Sequence, residues 1–137
     1  MKLSLFNLLE QKAATETAIP DGLAERTKYE RMLPTYMNEW SKIVREQQKE
    51  LCNLLIDRDE LYGQKMKFYK YDDKVSWSDS QLKTRIQYDA DYVKISKQVT
   101  EQQYYLDRVK DILDILKGNH FIVQEYNKMK KESEGSI

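Results

Sequence analysis

Tyr71-Asp72-Asp73-Lys74-Val75-Ser76-Trp77-Ser78 is the stretch whose reading decides the fold. It has no helical apolar spacing, yet it lies between two long segments that both do. Upstream, Met37, Trp40, Val44, Gln47, Leu51, Leu54, Arg58, Leu61, Lys65 and Phe68 recur at steps of three and four. Downstream, Tyr88, Tyr92, Ile95, Val99, Gln102, Leu106, Val109, Leu113 and Leu116 do the same. Each is a helical seam interrupted by polar residues. Ser78 followed by Gln81 is a capping-box start for the second helix. Folding the segments back on the 71–78 connection as an antiparallel hairpin puts Trp40 opposite Val109, Leu54 opposite Ile95 and Leu61 opposite Tyr88. Gln47 then meets Gln102, so the polar breaks coincide.

Working outward, the helical pattern begins near Leu23, with a kink or a fresh start at Pro34, which removes an amide donor. Before it, Leu5, Phe6, Leu9 and Ala13 sit at helical spacing over residues 3–14, a short helix that needs a docking surface to be stable. Ile19-Pro20-Asp21-Gly22 reads as a turn. At the other end, Gly118 is placed as a left-handed cap and Asn119 as the start of a last helix carrying Phe121, Ile122, Tyr126 and Met129. The expectation is an all-α protein: a long antiparallel helical hairpin with a short N-terminal helix and a C-terminal oligomerisation helix. Residues 1–22 form an arm and turn, 23–132 the hairpin body with its last helix, and 133–137 a frayed tail.

Composition agrees with that class. Among 137 residues there are four Gly and two Pro, so turns are few. Apolar residues make up 40%, which points to long helices with a narrow buried stripe that complete their core by self-association. Twenty-three basic residues balance 23 acidic ones, so any surface for a polyanion has to be local. The N-terminal apolar run is broken by Asn7 and closed by Glu10, and no run reaches the length of a membrane span. A soluble, cytoplasmic protein is expected, with no membrane partner; in a virus that means the host cytoplasm. Cys52 reads as a buried free thiol beside Leu51 and Leu54.

Little in the chain suits catalysis. One His, one Cys and no Gly-rich phosphate loop leave no catalytic, metal or cofactor constellation, and His120 reads as a helix-end or interface histidine. Asp72-Asp73 and the Asp89/Asp91 pair are the carboxylates a divalent metal would need; they also suit exposed helix ends and faces, with Asp91 placed to neutralise Arg58. Between Gly63 and Arg85, by contrast, six cations (Lys65, Lys67, Lys70, Lys74, Lys83, Arg85) face three acids, with Phe68, Tyr69, Tyr71 and Trp77 among them. Alternating cations and rings suit single-stranded nucleic acid, whose phosphates pair with Lys or Arg and whose unpaired bases stack. The same residues also suit a plain helix end where Tyr rings half-cover the core.

Gln64-Lys65-Met66-Lys67-Phe68-Tyr69 resembles a segment of the UvsY family of recombination mediators of T-even-type phages, in which two basic residues alternate with small or apolar ones before two aromatics. Lys65 falls on the second basic position and Phe68-Tyr69 on the aromatic pair, while Gly63 replaces the first basic residue and Tyr71 a glycine. Trp40 with Lys49-Glu50-Leu51, and the run Leu116-Lys117-Gly118-Asn119-His120-Phe121-Ile122 leading to Asn127-Lys128-Met129, extend the resemblance; residues before about Tyr29 match poorly. The resemblance implies a non-enzymatic protein of DNA recombination, repair and replication that binds single-stranded DNA. It helps a recombinase replace the single-strand DNA-binding protein, and works as a homo-oligomeric ring of six or seven subunits.

On that basis Lys65, Lys67, Phe68, Tyr69, Lys70, Lys74, Lys83 and Arg85 are the expected DNA-binding residues. Leu113, Leu116, Phe121, Ile122, Tyr126 and Met129 are the expected oligomerisation residues. Two other readings stand beside this one: a helical scaffold or adaptor that recognises a protein through the same aromatic surface, and a small helical metal enzyme built on the Asp pairs.

Overall fold

The computed structural model describes residues 1–72 and 75–135, with side chains to Ser133. The elements are α1 (Leu3–Glu16), α2 (Leu23–Lys67) continued by a π-helical turn (Phe68–Asp72), α3 (Asp79–Gln87) and α4 (Ala90–Gly135). No strand occurs among the described residues. Two compact units divide the chain: Met1–Glu46 with Tyr105–Ile137, and Gln47–Tyr104.

In the first unit α1 joins the N-terminal part of α2 and the C-terminal part of α4. Phe6 and Ala13 of α1 are buried, while Leu3, Leu5 and Leu8 face outward. The Phe6 ring lies 4.7 Å from that of Tyr105. Arg108 grips the Glu10 carboxylate with two bonds of 2.6 and 3.0 Å, and the bond from Arg108 is the main reason the Glu10 carboxyl lies below its ordinary pKa. A short helix unstable in isolation is thus tied down by packing and by a bidentate pair. Leu33, Trp40, Val109, Ile112, Leu116 and Val123 supply the apolar core. Polar side chains fix the α1–α2 connection: Asn119 Nδ2 donates to Thr17 O at 2.8 Å and to the Tyr29 hydroxyl at 3.2 Å.

Of the alternatives at Pro34, a kink or a fresh start, the fresh start does not occur, and neither does the helix end expected at Gly118. Helix α2 runs through Pro34, with Leu33 and Trp40 fully buried around it. Their burial offsets the lost amide bond. Helix α4 runs through Gly118, which has no left-handed backbone. Leu116 and Val123 are fully buried and Asn119 and Asn127 buried, so the helix is held on both sides of a glycine that costs about 1 kcal/mol relative to alanine. His120 accordingly sits inside α4 and not at a helix start.

In the second unit the C-terminal part of α2 pairs antiparallel with the start of α4. The expected Gln47–Gln102 meeting is present: Gln102 Nε2 donates to Gln47 O at 3.0 Å and to Gln47 Oε1 at 2.9 Å, with both residues buried. Nearer the tip the register slips by more than a helical turn. Tyr62 packs edge-on against Tyr92 at 5.8 Å, and Tyr88, expected opposite Leu61, is 77% exposed. The cause is a second helix break. Ser78 does cap a helix by a full capping box with Gln81, but that helix is only α3, nine residues long. Asp89 then caps α4, its Oδ1 accepting from the Asp91 and Tyr92 amides at 3.0 and 3.2 Å. Cys52, expected in the core, is exposed.

Candidate nucleic-acid interface

A small core organises the tip of the second unit: Tyr69, Leu82 and Ile86, with Tyr62, Met66, Trp77 and Tyr92 packed around it. The π-helical turn sets this up. Its wider winding carries Tyr69 inward and leaves Phe68 and Tyr71 outside. Tyr69 is 5% exposed and its hydroxyl donates to Asp89 Oδ2 at 2.6 Å, so its ring is part of the core and closed to a stacking base.

Asp89 is the hub. Besides capping α4 and accepting from Tyr69, it pairs with Lys65 at 3.3 Å, and Lys65 reaches Asp91 at 2.8 Å. Burial pushes the Asp89 carboxyl up, but the bonds from Tyr69, the Tyr92 amide and Lys65 outweigh it and hold the group below its ordinary value. The same contacts, led by the bond to Asp91, hold the Lys65 ammonium above its ordinary value. Lys65, one of the expected DNA-binding cations, is therefore neutralised inside the chain, and Asp91 pairs with it and not with Arg58. Asp89 and Asp91 are thereby engaged, and the described residues hold no group of three or more His, Cys, Asp or Glu placed to bind a metal.

Of the remaining cations, Lys67, Lys70 and Lys83 face solvent. Lys67 and Lys83 are exposed and have no ion-pair partner among the described residues. Lys70 lies 5.5 Å over the exposed Tyr71 ring. Arg85, half-buried, stacks 4.8 Å over Tyr69, whose other neighbour is the Phe68 ring, edge-on at 5.1 Å and 47% exposed. Lys74 lies outside the described residues. The structure thus groups Phe68 and Arg85 around the buried Tyr69, places Lys70 over Tyr71, and assigns Lys65 to internal pairing.

Sequence reasoning missed Tyr88 and the pocket beside it. A cavity of 310 Å³ is lined by Trp77, Ser80, Gln81, Thr84, Arg85 and Tyr88. By its spacing of threes and fours Tyr88 reads as a seam residue; the Asp89 cap turns it outward.

In the first unit, Leu113 and Leu116 are buried in the core and do not reach the surface. Phe121, Ile122, Tyr126 and Met129 are all exposed, between 52% and 66%. Arg26 stacks 4.1 Å over the Tyr126 ring and donates to Asp21 O. Among the described residues no helix is long and apolar enough to cross a membrane.

No family model matches the sequence, and no curated relative matches it significantly. The fold, however, has solved counterparts. A crystal structure of the bacteriophage T4 recombination mediator protein UvsY, in lattice type IV, superimposes with a TM-score of 0.81 at 14% identity, over 97% of this chain and 99% of that one. A second, in lattice type II, gives a TM-score of 0.83 at 16% identity over 98% of each chain. Over nearly its whole length, this chain has the fold of the T4 recombination mediator UvsY.

Proposed function

We propose that this protein is a recombination mediator: it binds single-stranded DNA and helps a recombinase displace the single-strand DNA-binding protein already coating the strand. The observation that carries the reading is the set of exposed Lys67, Phe68, Lys70 and Lys83 at one tip, with half-buried Arg85 and Phe68 both against Tyr69, on a fold shared with a recombination mediator over almost every residue. Phosphates pair with the lysines and with Arg85, and Phe68 offers a ring for stacking. Lys65 and Tyr69 belong to the support beneath. A modest patch gains strength when several copies hold one strand, so self-association is part of the proposal. The exposed Phe121, Ile122, Tyr126 and Met129 are its surface, in a ring of six or seven copies.

The test is fluorescence anisotropy of a labelled oligo-dT between about 50 and 200 mM salt, with molar mass followed by light scattering. Wild type should bind in a salt-dependent manner. The Lys67→Ala/Lys70→Ala double variant should keep its mass and lower the slope of log K against log salt by about 1.4 for each subunit that contacts the strand, at ~0.7 per phosphate lost from a single strand. Mediation itself is read as the rate of recombinase filament formation on DNA pre-coated with single-strand DNA-binding protein. Absence of oligo-dT binding by an assembled wild type refutes the reading. It would favour an adaptor instead, for which the same exposed aromatic surfaces are the observation.

A further inference from the structure

We infer that the pocket between Trp77 and Tyr88 is a subsite for one unpaired nucleobase. This rests on the single-stranded DNA reading and adds to it a site that the basic-aromatic segment does not contain. Trp77 stands immediately before the Ser78 cap and packs on the Tyr69–Leu82–Ile86 core, the N′-to-N4 staple that fixes a side chain entering a helix. One part of Trp77 is thereby held in the core while the residue also lines the cavity. Tyr88, at the C-cap of α3, is the pocket's other aromatic and is 77% exposed, a large ring that the chain itself leaves uncovered.

Two aromatic residues, one anchored and one exposed, border a space of 310 Å³. That is the low end of the roughly 300–1,000 Å³ of small-ligand pockets, which suits a flat heterocycle better than a peptide segment or a large cofactor. Arg85 also lines the space, oriented by its stack on Tyr69, and its guanidinium can pair with the phosphate next to a bound base.

The polar lining fits a base edge without selecting one. Gln81 spends its Oε1 on the Ser78 amide, at 2.9 Å, and keeps its amide hydrogens to donate. Thr84 donates its hydroxyl to Ser80 O at 3.1 Å and keeps lone pairs to accept. A donor and an acceptor side by side tolerate any base, as a protein that holds DNA of arbitrary sequence requires. The pocket and the Lys67–Lys70 segment then act side by side, the segment taking phosphates and a base stacked on Phe68, and the pocket taking a further base.

The full-length protein tests this directly. Trp40 is fully buried, so quenching of tryptophan emission by added DNA reports on Trp77. Oligo-dT should quench it, and an abasic oligonucleotide of equal length should not. Tyr88→Ala should weaken oligo-dT binding by about five-fold or more, the loss of one stacked base, and leave abasic binding unchanged. Tyr88→Phe should retain wild-type affinity. Because Tyr88 is exposed, these variants leave the core intact; circular dichroism and light scattering confirm it. If oligo-dT still binds in a salt-dependent manner, but without quenching Trp77 and with Tyr88→Ala silent, the subsite is overturned and the phosphate reading survives. If neither strand binds, the mediator reading fails and the subsite fails with it.

Discussion

Replacing Asp89 with alanine removes one carboxylate and three structural roles at once, so it probes the reasoning about the tip most severely. The carboxylate caps α4 through the Asp91 and Tyr92 amides, accepts the Tyr69 hydroxyl at 2.6 Å and pairs with Lys65. Loss of an N-cap costs about 1 kcal/mol. A buried hydroxyl left without an acceptor costs about 1–3 kcal/mol. Lys65 keeps Asp91, so its pairing adds little. Since one group performs all these tasks, the terms overlap, and Asp89→Ala should cost about 2–4 kcal/mol, or on the order of 10 °C in Tm. Urea unfolding gives the total, and hydrogen exchange at residues 82–92 shows where it falls. Asp89→Asn is the control: asparagine caps as well as aspartate and still accepts from Tyr69, so it should cost less than half as much.

The pH dependence follows from the same group. The Asp89 carboxyl lies below its ordinary value of 3.8 in the folded protein. Its contribution is therefore complete well above that value and is lost as pH falls from there through the lowered folded value. The stability difference between wild type and Asp89→Asn should be constant near neutral pH and shrink in acid. An Asp89→Ala protein within about 0.5 kcal/mol of wild type, or a difference from Asp89→Asn that widens as pH falls, would refute the account of Asp89 as the hub.

Other substitutions probe other parts of the molecule. Gln102→Leu should cost about 1–3 kcal/mol in urea unfolding, because it strands the buried Gln47 side chain, whereas Gln47→Leu/Gln102→Leu should come back close to wild type. Gly118→Ala should stabilise by about 0.5–1 kcal/mol, since a Cβ there meets nothing within 4 Å and the backbone is right-handed; destabilisation would show a left-handed cap instead. Leu116→Ala should cost about 2–5 kcal/mol as a core deletion, while Phe121→Asp should leave thermal stability nearly unchanged and lower the molar mass seen by light scattering.

Which parts of this fold are legible in the sequence follows from where local and tertiary signals agree. Gln47 and Gln102 are legible because a polar residue in an apolar stripe is costly unless it meets its like, so the two breaks fix the register between them. Ser78 and Gln81 are legible because a capping box is local in sequence. Gly118 misleads because glycine after an apolar stripe usually ends a helix, and only the burial of residues four or more positions further on overrides it. Asp89 is missed for the opposite reason. An aspartate read with Asp91 as a carboxylate pair, with the apolar stripe continuing on both sides, carries no visible stop signal, and its other partners, Tyr69 and Lys65, lie twenty or more residues upstream.

That single missed cap has the largest consequence for the candidate site. An uninterrupted helix from Ser78 would bury Tyr88 in the seam and leave Lys65 and Tyr69 as the obvious contacts for a polyanion. With the break at Asp89, the roles exchange. Asp89 draws Lys65 and Tyr69 into the chain's own structure, and Tyr88 is turned out beside Trp77 and Arg85. In a chain with no net charge, a cationic surface needs nearby acids to be occupied. Lys65 occupies Asp89 and Asp91 together, so Lys67, Lys70, Lys83 and Arg85 do not face those two carboxylates unpaired. Under the proposed reading, Lys65 then serves binding indirectly, by neutralising two acids while its neighbours stay available to phosphate. Lys65→Ala should accordingly weaken oligo-dT binding by leaving the charges of Asp89 and Asp91 unneutralised, and Lys65→Ala/Asp91→Ala should restore part of the loss. A direct Lys65–phosphate contact predicts no such rescue.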